Sequence, residues 1–465
     1  MPILDSTSHP FEINVPVVII GAGACGATAA LAAREAGADV LLIERDDSPR
    51  GNTTLSGGQI PAAGSRLQRA AGIADSPEIL AGDLVRKARG LCDETMAYHI
   101  ARESAATVDW LADRWHAPLS CPPDLIHPGH SRPRMHVTPN RFGEELLTVL
   151  LDAATAAGVD LMTAAPVTDL FADGAGRIAG LRITRRDGRV EEIGCQALIL
   201  ATNGFGANAE MIRRYIPEIS GAHYHGHAGN RGDAVQWGLE LGAAVADMGS
   251  FQGFGAVTTP HGLHMGAIAI AEGGILANAH GARFCDESSG YSEQALYVQS
   301  QPGGVAWVVF DERCNAAAAK TLTHRACEAA GAIRTAATVA EIAVAIGCSS
   351  ATLERTLRHA VDCAEGRQSD PLGRDFQRRP PLQPPYRFAK VMGALFHTQG
   401  GLVVDGDGRV LRPDGAPLPN LFAGGGAARG LSGPADWGYL PGSGLLTATT
   451  LGRLAGAEAA RTLGH

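Results

Sequence analysis

Short continuous apolar runs alternate along the chain with longer stretches of helical spacing. The first run, residues 15–20, is rich in β-branched residues and stops at Gly21, which is typical of a strand buried on both faces. Residues 27–36 are rich in alanine and predict a helix that Gly37 ends, and residues 40–43 form a second apolar run. The pattern therefore predicts a complete β–α–β unit near the start of the chain.

Helical and strand-like patterns then follow one another up to a second buried run. Apolar residues at helical spacing predict helices within residues 76–116 and over residues 143–157, and residues 159–162 resemble a strand. From residue 167 to 199, short β segments separated by Asp-Gly turns predict an antiparallel excursion. This excursion returns through the apolar strand 197–201.

The character of the chain changes between about residues 250 and 375, where mixed strands accompany helical stretches at 311–330 and 339–367. A proline-rich connector, residues 380–385, leads back to a strand at 421–423 and a closing helix at 444–462. No internal repeat is evident. We predict an α/β fold in which a Rossmann-like domain, a parallel sheet with an antiparallel β excursion, carries an inserted α+β domain.

This interpretation divides the chain into three segments. Residues 1–250 are the first part of the dinucleotide-binding domain, residues 251–378 the inserted domain, and residues 379–465 the return segment.

Composition restricts the class of partner. The 465 residues are 45% hydrophobic and 19% charged, with a formal net charge of −9 and no long block of lysine and arginine. These values indicate a folded chain and argue against a nucleic-acid or anionic-membrane surface. We expect a small-molecule partner, with no nucleic acid and no membrane.

Nine cysteines include no C-x-x-C pair, so the sequence suggests neither a disulfide framework nor a zinc or iron–sulfur site, and we expect no metal. They are typical of packing residues in a reducing compartment. The N-terminal segment has no secretory pattern, and no apolar run is long enough to span a bilayer. We therefore expect a cytoplasmic protein without a membrane anchor.

The turn after the first strand carries the clearest chemical signal. Gly21, Gly23 and Gly26 form a G-x-G-x-x-G motif between a strand and a helix, and Glu44 ends the next strand. In such a turn the glycines allow backbone to approach a pyrophosphate, and the acid accepts hydrogen bonds from ribose hydroxyls. Glu44 would repel a 2′-phosphate, which favours FAD or NAD over NADP. A second glycine-rich turn at residues 202–206 suits a ligand longer than one nucleotide.

Motifs along nearly the whole chain resemble those of the FAD-binding flavoprotein family that contains fumarate reductase and succinate dehydrogenase flavoprotein subunits, tricarballylate dehydrogenase and 3-ketosteroid 1-dehydrogenases. The matching segments are residues 21–26 with Glu44, 52–58, 201–208, 232–235, 281–287, 397–401 and 442–445.

The resemblance implies FAD, held by both ends of the chain, with the inserted domain capping the flavin. Residues 52–58 contain no histidine, where covalently flavinylated members carry one, so we expect non-covalent FAD. The expected FAD-binding residues are Gly21, Gly23, Ala24, Cys25, Gly26, Glu44, Arg45, Thr53, Thr54, Ser56, Gly57, Gly58, Val167, Ala201, Thr202, Asn203, Gly204, Asn208, Asp233, Gly425, Gly442, Gly444 and Leu445.

The same resemblance implies addition or removal of two hydrogens across a C–C bond beside a carbonyl or carboxylate. Arg283 matches the arginine that delivers the proton in similar fumarate reductases, although it could instead pair with Asp286 or Glu287. His397 matches a histidine that holds a substrate oxygen, although a lone histidine can also be structural.

The chain departs from the fumarate reductases where these carry an arginine for the second carboxylate, because Leu440 or a neighbour stands there. Tyr439 instead resembles the tyrosine of ketosteroid and tricarballylate dehydrogenases. In the ketosteroid enzymes that hydroxyl and a glycine amide polarise the ketone. Tyr439 could alternatively pack under the flavin, and Arg429 could make a displaced carboxylate contact or be a plain surface residue.

Further residues leave alternatives open. On a strand, His223, His225 and His227 would share one face and could bind a metal, but the following flavin motif favours a loop or a rim of the active site. Tyr291 and Tyr297 are candidates for a phenol that handles the proton.

We expect an FAD-dependent enzyme that dehydrogenates a ketone, including a cyclic or steroid-like one, at its α,β C–C bond. The alternatives are a fumarate-reductase-like reduction of an unsaturated carboxylate and, in another class, a non-catalytic flavoprotein electron carrier. The electron acceptor or donor is not identified by the sequence.

Overall fold

The computed structural model describes residues 2–7 and 9–464, which form two compact units. The first unit contains the chain up to Ile216, residues Gly226–Phe251 and the chain from His397 onward. The second unit contains residues Pro217–His225 and Gln252–Phe396. The first unit is therefore built from both ends of the chain.

A nine-stranded sheet forms the centre of the first unit. Seven strands follow one another across it in the order Ile3–Asp5, Val167–Ala172, Ile178–Thr184, Val190–Leu200, Ile13–Ile20, Val40–Ile43 and Asp160–Met162. Pro417–Ala423 pairs in parallel with Val190–Leu200, and Arg409–Leu411 pairs with Pro417–Ala423. The strands around Ile13–Ile20 are parallel, whereas Ile178–Thr184 is antiparallel to both of its neighbours. The structure thus confirms the predicted parallel sheet with an antiparallel excursion.

The sheet of the first unit is buried on both faces. Along Ile13–Ile20, Val17 and Ile19 pack into one apolar cluster, whereas Val18 and Ile20 pack into another. Successive side chains of a strand point to opposite faces, so a strand covered on both sides needs a continuous apolar run. This requirement explains the run at the start of the chain.

Helices cover this sheet. They comprise Ala24–Glu35, Gly51–Leu55, Arg66–Ala70, Pro77–Lys87, Glu94–Arg114, Gly143–Ala156, Ala209–Tyr215, Asp233–Glu240 and Ser443–Arg461. Short strands also pair outside the large sheet: Ile60–Pro61 with Met135–His136, and Val245–Ala246 with Gly401–Leu402.

The closing helix, Ser443–Arg461, packs against the first helix, Ala24–Glu35. A Cβ on Gly452 would lie 2.5 Å from the Cys25 carbonyl oxygen, and one on Gly456 would overlap that of Ala29. These two glycines, one helical turn apart, allow the backbones to approach closely. The contact joins the return segment to the β–α–β unit.

The second unit has a six-stranded sheet around Tyr386–Thr398, which pairs with Val305–Asp311, Arg334–Ala336, His223–Tyr224 and Phe251–Thr258. Ile275–Ala277 extends this sheet beyond Val305–Asp311. The helices of this unit are Ile268–Ala271, Glu293–Gln299, Glu312–Ala318, Leu322–Ala329, Val339–Ile346 and Ser350–Ala364. It has an apolar core of its own.

The bounds of the second unit differ from the expected 251–378. The chain returns to the first unit only at His397, because residues 386–396 form the central strand of the second sheet. The predicted helical stretch 311–330 is two helices preceded by the strand Val305–Asp311. The stretch 339–367 is likewise divided, since Gly347 ends the helix Val339–Ile346 in the left-handed conformation.

Within the part of the chain that the structure describes, no helix has both the length and the apolar character needed to cross a bilayer.

Candidate active site

A cleft lies in the first unit where strands Ile13–Ile20, Val40–Ile43 and Val190–Leu200 end. It has a volume of about 620 Å³ including its open mouth. In parallel sheets ligands bind beyond the carboxyl ends of the strands, as in this cleft. The residues expected to bind FAD that line it are Gly21, Gly23, Glu44, Arg45, Thr53, Val167, Ala201, Thr202 and Asn203.

The three motif glycines have different steric surroundings. Gly21 has φ +105°, and a Cβ there would collide with the carbonyl of Ala201, the residue that follows the neighbouring strand Val190–Leu200. A Cβ on Gly26 would overlap the Gly21 carbonyl oxygen, so the helix could not begin so close to the turn. Gly23 lines the cleft, and a Cβ there would lie 3.4 Å from Thr53 Oγ1. Gly23 therefore leaves backbone open to a ligand.

Glu44 is held rigidly at the cleft. Its two carboxylate oxygens accept hydrogen bonds from the backbone amides of Ala22 and Asp46, both at 3.1 Å. A carboxylate has about four lone-pair sites, so it can accept hydrogen bonds from ribose hydroxyls as well. The geometry is that expected of a residue binding ribose.

Arg45 also lines the cleft, and two groups fix its guanidinium. It forms an ion pair with the buried carboxylate of Asp233 and donates to the Gly229 carbonyl oxygen at 2.9 Å. Asp233 does not itself line the cleft. Its expected part in FAD binding is therefore best understood as orienting Arg45.

Two side chains of the cleft carry buried polar atoms without a hydrogen-bond partner among the described residues. These atoms are Thr202 Oγ1 and the indole nitrogen of Trp237. Buried polar atoms nearly always have a partner, so two unsatisfied ones on residues that line one cleft are typical of a ligand site. The residues present therefore fit a dinucleotide such as FAD.

Some expected FAD residues shape the surroundings without lining the cleft. The Ser56 hydroxyl donates to the Thr53 carbonyl at 2.7 Å, and its oxygen accepts from the Gly58 amide at 3.1 Å. Asn208 caps the helix Ala209–Tyr215 through its side-chain oxygen. The expected residues outside the lining are Ala24, Cys25, Gly26, Thr54, Ser56, Gly57, Gly58, Gly204, Asn208, Asp233, Gly425, Gly442, Gly444 and Leu445.

Other lining residues were not assigned from the sequence. They are Ile20, Gly51, Asn52, Ala165, His227, Gly229, Asn230 and Trp237. Asn52 lay within a recognised motif, and its side-chain oxygen accepts from the His227 amide at 2.8 Å and from the Asn230 side chain at 2.9 Å. Trp237 gave no signal, because a helical tryptophan is indistinguishable from a core residue in sequence.

A second group of predicted site residues meets at the start of the closing helix, also within the first unit. The His397 and Tyr439 rings pack edge to face, with centroids 5.4 Å apart. A Cβ on Gly444 would lie 3.5 Å from His397 Cε1 and 3.8 Å from the Tyr439 hydroxyl oxygen. We call His397, Tyr439 and Gly444 the Tyr439 site. A side chain at residue 444 would therefore come into van der Waals contact with both polar side chains.

Both polar side chains of the Tyr439 site are uncharged at neutral pH. Burial lowers the pKa of His397 to about 4 and raises the pKa of Tyr439 to about 12. Backbone hydrogen bonds from Gly444 and Gly442 to the phenol oxygen oppose this rise. The His397 Nδ1 atom lies 3.0 Å from Gln399 Nε2, which fixes the ring. The site thus offers a neutral phenol donor beside a neutral imidazole.

The segment around Tyr439 is held from the same unit. His130 Nε2 donates to the Pro441 carbonyl oxygen at 2.9 Å, and Leu440 is fully buried. Arg429 forms ion pairs with Asp247 at 2.7 Å and Asp93 at 3.1 Å. Of the two interpretations open for Arg429, these contacts favour a structural one, since both carboxylates already occupy its guanidinium.

Arg283 lies in the second unit, in a buried ionic network. It donates to Glu287 at 2.7 and 2.9 Å and to both oxygens of Asp370 at 2.8 and 3.1 Å. Arg374 also contacts Glu287, at 3.0 Å. Burial acts against the charged form of Arg283, but these two carboxylates outweigh it and raise its pKa. Of the two interpretations of Arg283, the structure therefore shows the ion-paired one, with Glu287 and Asp370 as partners. Arg283 remains a cation.

Tyr291, in the second unit, packs near Phe254, with ring centroids 5.4 Å apart. Tyr297 is 41% exposed. The three neighbouring histidines do not share one strand face, because the strand ends at Tyr224. His225 packs on Phe396, whereas His227, in the first unit, lies 3.2 Å from Asp46. Their arrangement agrees with the loop interpretation.

A family model described as an FAD binding domain matches residues 16–444. The chain is 27% identical over 448 residues to an NADH:fumarate oxidoreductase of Klebsiella pneumoniae (strain 342), covering 96% of this chain and 47% of that protein. The chain therefore spans about half the length of this relative.

Two solved structures are similar over nearly the whole chain. An open conformation of a flavocytochrome c3 fumarate reductase has a TM-score of 0.82 at 28% identity, covering 97% of this chain and 79% of that one. The 3-ketosteroid Δ4-(5α)-dehydrogenase of Rhodococcus jostii RHA1, in complex with 4-androstene-3,17-dione, has a TM-score of 0.78 at 27% identity, covering 99% of both chains. The family match confirms the predicted FAD cofactor.

Proposed function

The chain belongs to the family of FAD-binding flavoproteins whose motifs it carries, and on this premise we propose that it dehydrogenates a ketone at the C–C bond beside the carbonyl. The observation that carries the proposal is the Tyr439 site, in which a neutral phenol meets the first residues of a long helix. FAD, when bound, supplies the acceptor for a hydride.

The Tyr439 site suits a carbonyl oxygen that gains negative charge as the neighbouring C–H bond breaks. The Tyr439 hydroxyl donates to that oxygen, and the start of the helix Ser443–Arg461, where the helix dipole carries partial positive charge, lies beside it. Fixed donors of this kind stabilise an enolate with little reorganisation. Because burial raises the pKa of Tyr439 to about 12, the donor keeps its proton at neutral pH.

The substrate is better described as a ketone than as a dicarboxylate. A second carboxylate needs a free cation, yet Arg429 is bound by Asp93 and Asp247, and Leu440 presents only carbon atoms. The similarity over 99% of both chains to a ketosteroid dehydrogenase supports the same choice.

Proton removal requires a group that can act as a base. Arg283 is unsuited to this role because two carboxylates keep it protonated. Arg283 instead orders residues 283–287 through its ion pair with Glu287. FAD is held without a covalent bond in this proposal.

The experiment is an anaerobic titration of the oxidised flavoprotein with cyclic and steroid ketones and, separately, with saturated di- and tricarboxylates. We expect ketones alone to bleach the visible absorbance of the flavin. Bleaching by carboxylates alone, or no bleaching by either class, would contradict the proposal.

A second function is reduction of an unsaturated carboxylate, which the relatives named as fumarate reductases and the neutral His397 favour. This function predicts that enoates reoxidise flavin that has been reduced with dithionite. A flavin that responds to neither class would instead favour an electron carrier.

A further inference from the structure

Three potential metal ligands lie together in the second unit: His359, Cys363 and Asp370. His359 and Cys363 are four residues apart on the helix Ser350–Ala364, so their side chains lie on one face, one turn apart. Asp370 follows on the loop after that helix. No part of the proposed reaction uses His359 or Cys363.

The separations between these atoms suit a tetrahedral cation. His359 Nε2 lies 3.6 Å from Cys363 Sγ and 3.5 Å from Asp370 Oδ1. Ligand bonds of about 2.0 Å to nitrogen or oxygen and about 2.3 Å to sulfur place tetrahedral ligand atoms roughly 3.3–3.6 Å apart. All three ligand atoms lie within 4.8 Å of one another. Small side-chain rotations would therefore bring them to bonding distance from a single cation.

The surroundings allow entry and orient the imidazole. Cys363 and the Asp370 carboxylate are buried, whereas the His359 side chain is 30% exposed. The solvent can therefore deliver a cation and leave a water as its fourth ligand. Gln368 Nε2 lies 2.7 Å from His359 Nδ1, which turns Nε2 towards Cys363 and Asp370. A half-turn of the Gln368 amide would let its oxygen accept from Nδ1–H once Nε2 binds a metal.

We propose that His359, Cys363 and Asp370 form a binding site for a thiophilic divalent cation such as Zn²⁺. Thiolate, imidazole and carboxylate are the ligands that zinc uses, whereas magnesium and calcium prefer oxygen atoms alone. On binding, Cys363 loses its proton to solvent, and the cation takes up the thiolate, His359 Nε2 and an Asp370 oxygen.

The site is linked to Arg283 through Asp370. Arg283 donates to both oxygens of this carboxylate, so a cation bound there competes for its negative charge. Zinc should therefore loosen the hold on Arg283. Metal binding itself does not depend on the proposed reaction.

The test uses the chelator-treated, FAD-loaded full chain. Zn²⁺ is titrated in competition with a chromophoric chelator, and Co²⁺ is added separately to look for the red d–d absorption of tetrahedral cobalt, beyond the absorbance of oxidised flavin. We expect one equivalent to bind, with affinity reduced roughly tenfold or more in Cys363→Ser and in His359→Ala.

Matched controls are Cys348→Ser, at a partly exposed cysteine of the same unit, and His280→Ala, at an exposed histidine. Both should bind the cation as the unmodified chain does, and an unchanged flavin spectrum shows that each variant has folded. Absence of stoichiometric binding, or equal affinity in Cys363→Ser and Cys348→Ser, would overturn the proposal.

Discussion

His136 shows how one buried side chain makes the folded protein sensitive to acid. It is completely buried, and its Nδ1–H group points at the carbonyl oxygens of Arg134, at 3.0 Å, and Ile60, at 3.2 Å. The Ser65 hydroxyl lies 2.6 Å from Nε2 and donates to it. A second proton, on Nε2, would turn this acceptor into a donor that faces the Ser65 hydroxyl. Burial lowers the pKa of His136 to about 4.

We therefore expect His136 to weaken the fold below neutral pH. Between its usual pKa near 6.5 and about 4, the unfolded chain binds a proton that the folded chain does not, so stability falls as pH decreases through this window. At pH 5 the loss amounts to about 2 kcal/mol. In His136→Asn, the side-chain amide keeps a donor near the Nδ1 position and does not titrate.

The measurement is the free energy of urea unfolding at pH 7 and pH 5. Unmodified protein should lose more stability between the two values than His136→Asn, whereas His280→Asn, at an exposed position, should behave as the unmodified chain does. Equal losses in the unmodified chain and in His136→Asn would refute this explanation.

At the scale of elements, the contact between the first and closing helices depends on glycine. Gly456→Ala places a Cβ on the Ala29 carbonyl oxygen, and such overpacking costs about 1–3 kcal/mol. Gly82 lies inside the helix Pro77–Lys87 with open space where its Cβ would be, so Gly82→Ala is a matched control. Its gain in helix propensity is up to about 1 kcal/mol.

Thermal unfolding of the two variants distinguishes a packing role from helix propensity. We expect the melting temperature to fall in Gly456→Ala and to rise in Gly82→Ala. A rise in both would mean that the helices can separate at no cost and that close packing is not required.

Elements with a strong local pattern could be predicted from the sequence. The strand ending at Ile20, the strand Val40–Ile43 and the closing helix are found within a few residues of their expected bounds. The division of residues 311–330 into two helices was missed because the break at residues 319–321 contains neither glycine nor proline. Only the side-chain cap of Thr321 marks the start of the second helix.

At the scale of the whole molecule, the change in character near residue 250 and the proline-rich connector predict an inserted segment, but they do not locate the point at which the chain returns. Residues 386–396 are apolar enough for either unit, and only pairing with distant strands assigns them to the second sheet. The candidate site residues likewise have partners that are distant in sequence. The partners of Arg283 include Asp370, 87 residues away, and a contact of that separation leaves no local pattern.

The cleft was predicted best where a motif combines chain geometry with chemistry, as at Gly21, Gly23 and Glu44. Trp237 was missed because the lack of a hydrogen-bond partner for its indole nitrogen becomes evident only in the folded cleft. Short-range motifs thus predict how backbone approaches a ligand, whereas side chains contributed by distant elements require the fold.

The central claim is that Tyr439 donates a hydrogen bond to the carbonyl oxygen of a ketone substrate as its α,β C–C bond is oxidised. Its most direct test is the anaerobic rate of flavin reduction by the ketone that bleaches the protein, measured by rapid mixing for the unmodified chain and for Tyr439→Phe. The matched control is Tyr98→Phe, at a tyrosine of the helix Glu94–Arg114 that does not line the cleft. We predict that Tyr439→Phe lowers this rate by roughly a hundredfold while FAD remains bound, and that Tyr98→Phe leaves it unchanged. A rate in Tyr439→Phe equal to that of the unmodified chain would contradict the account.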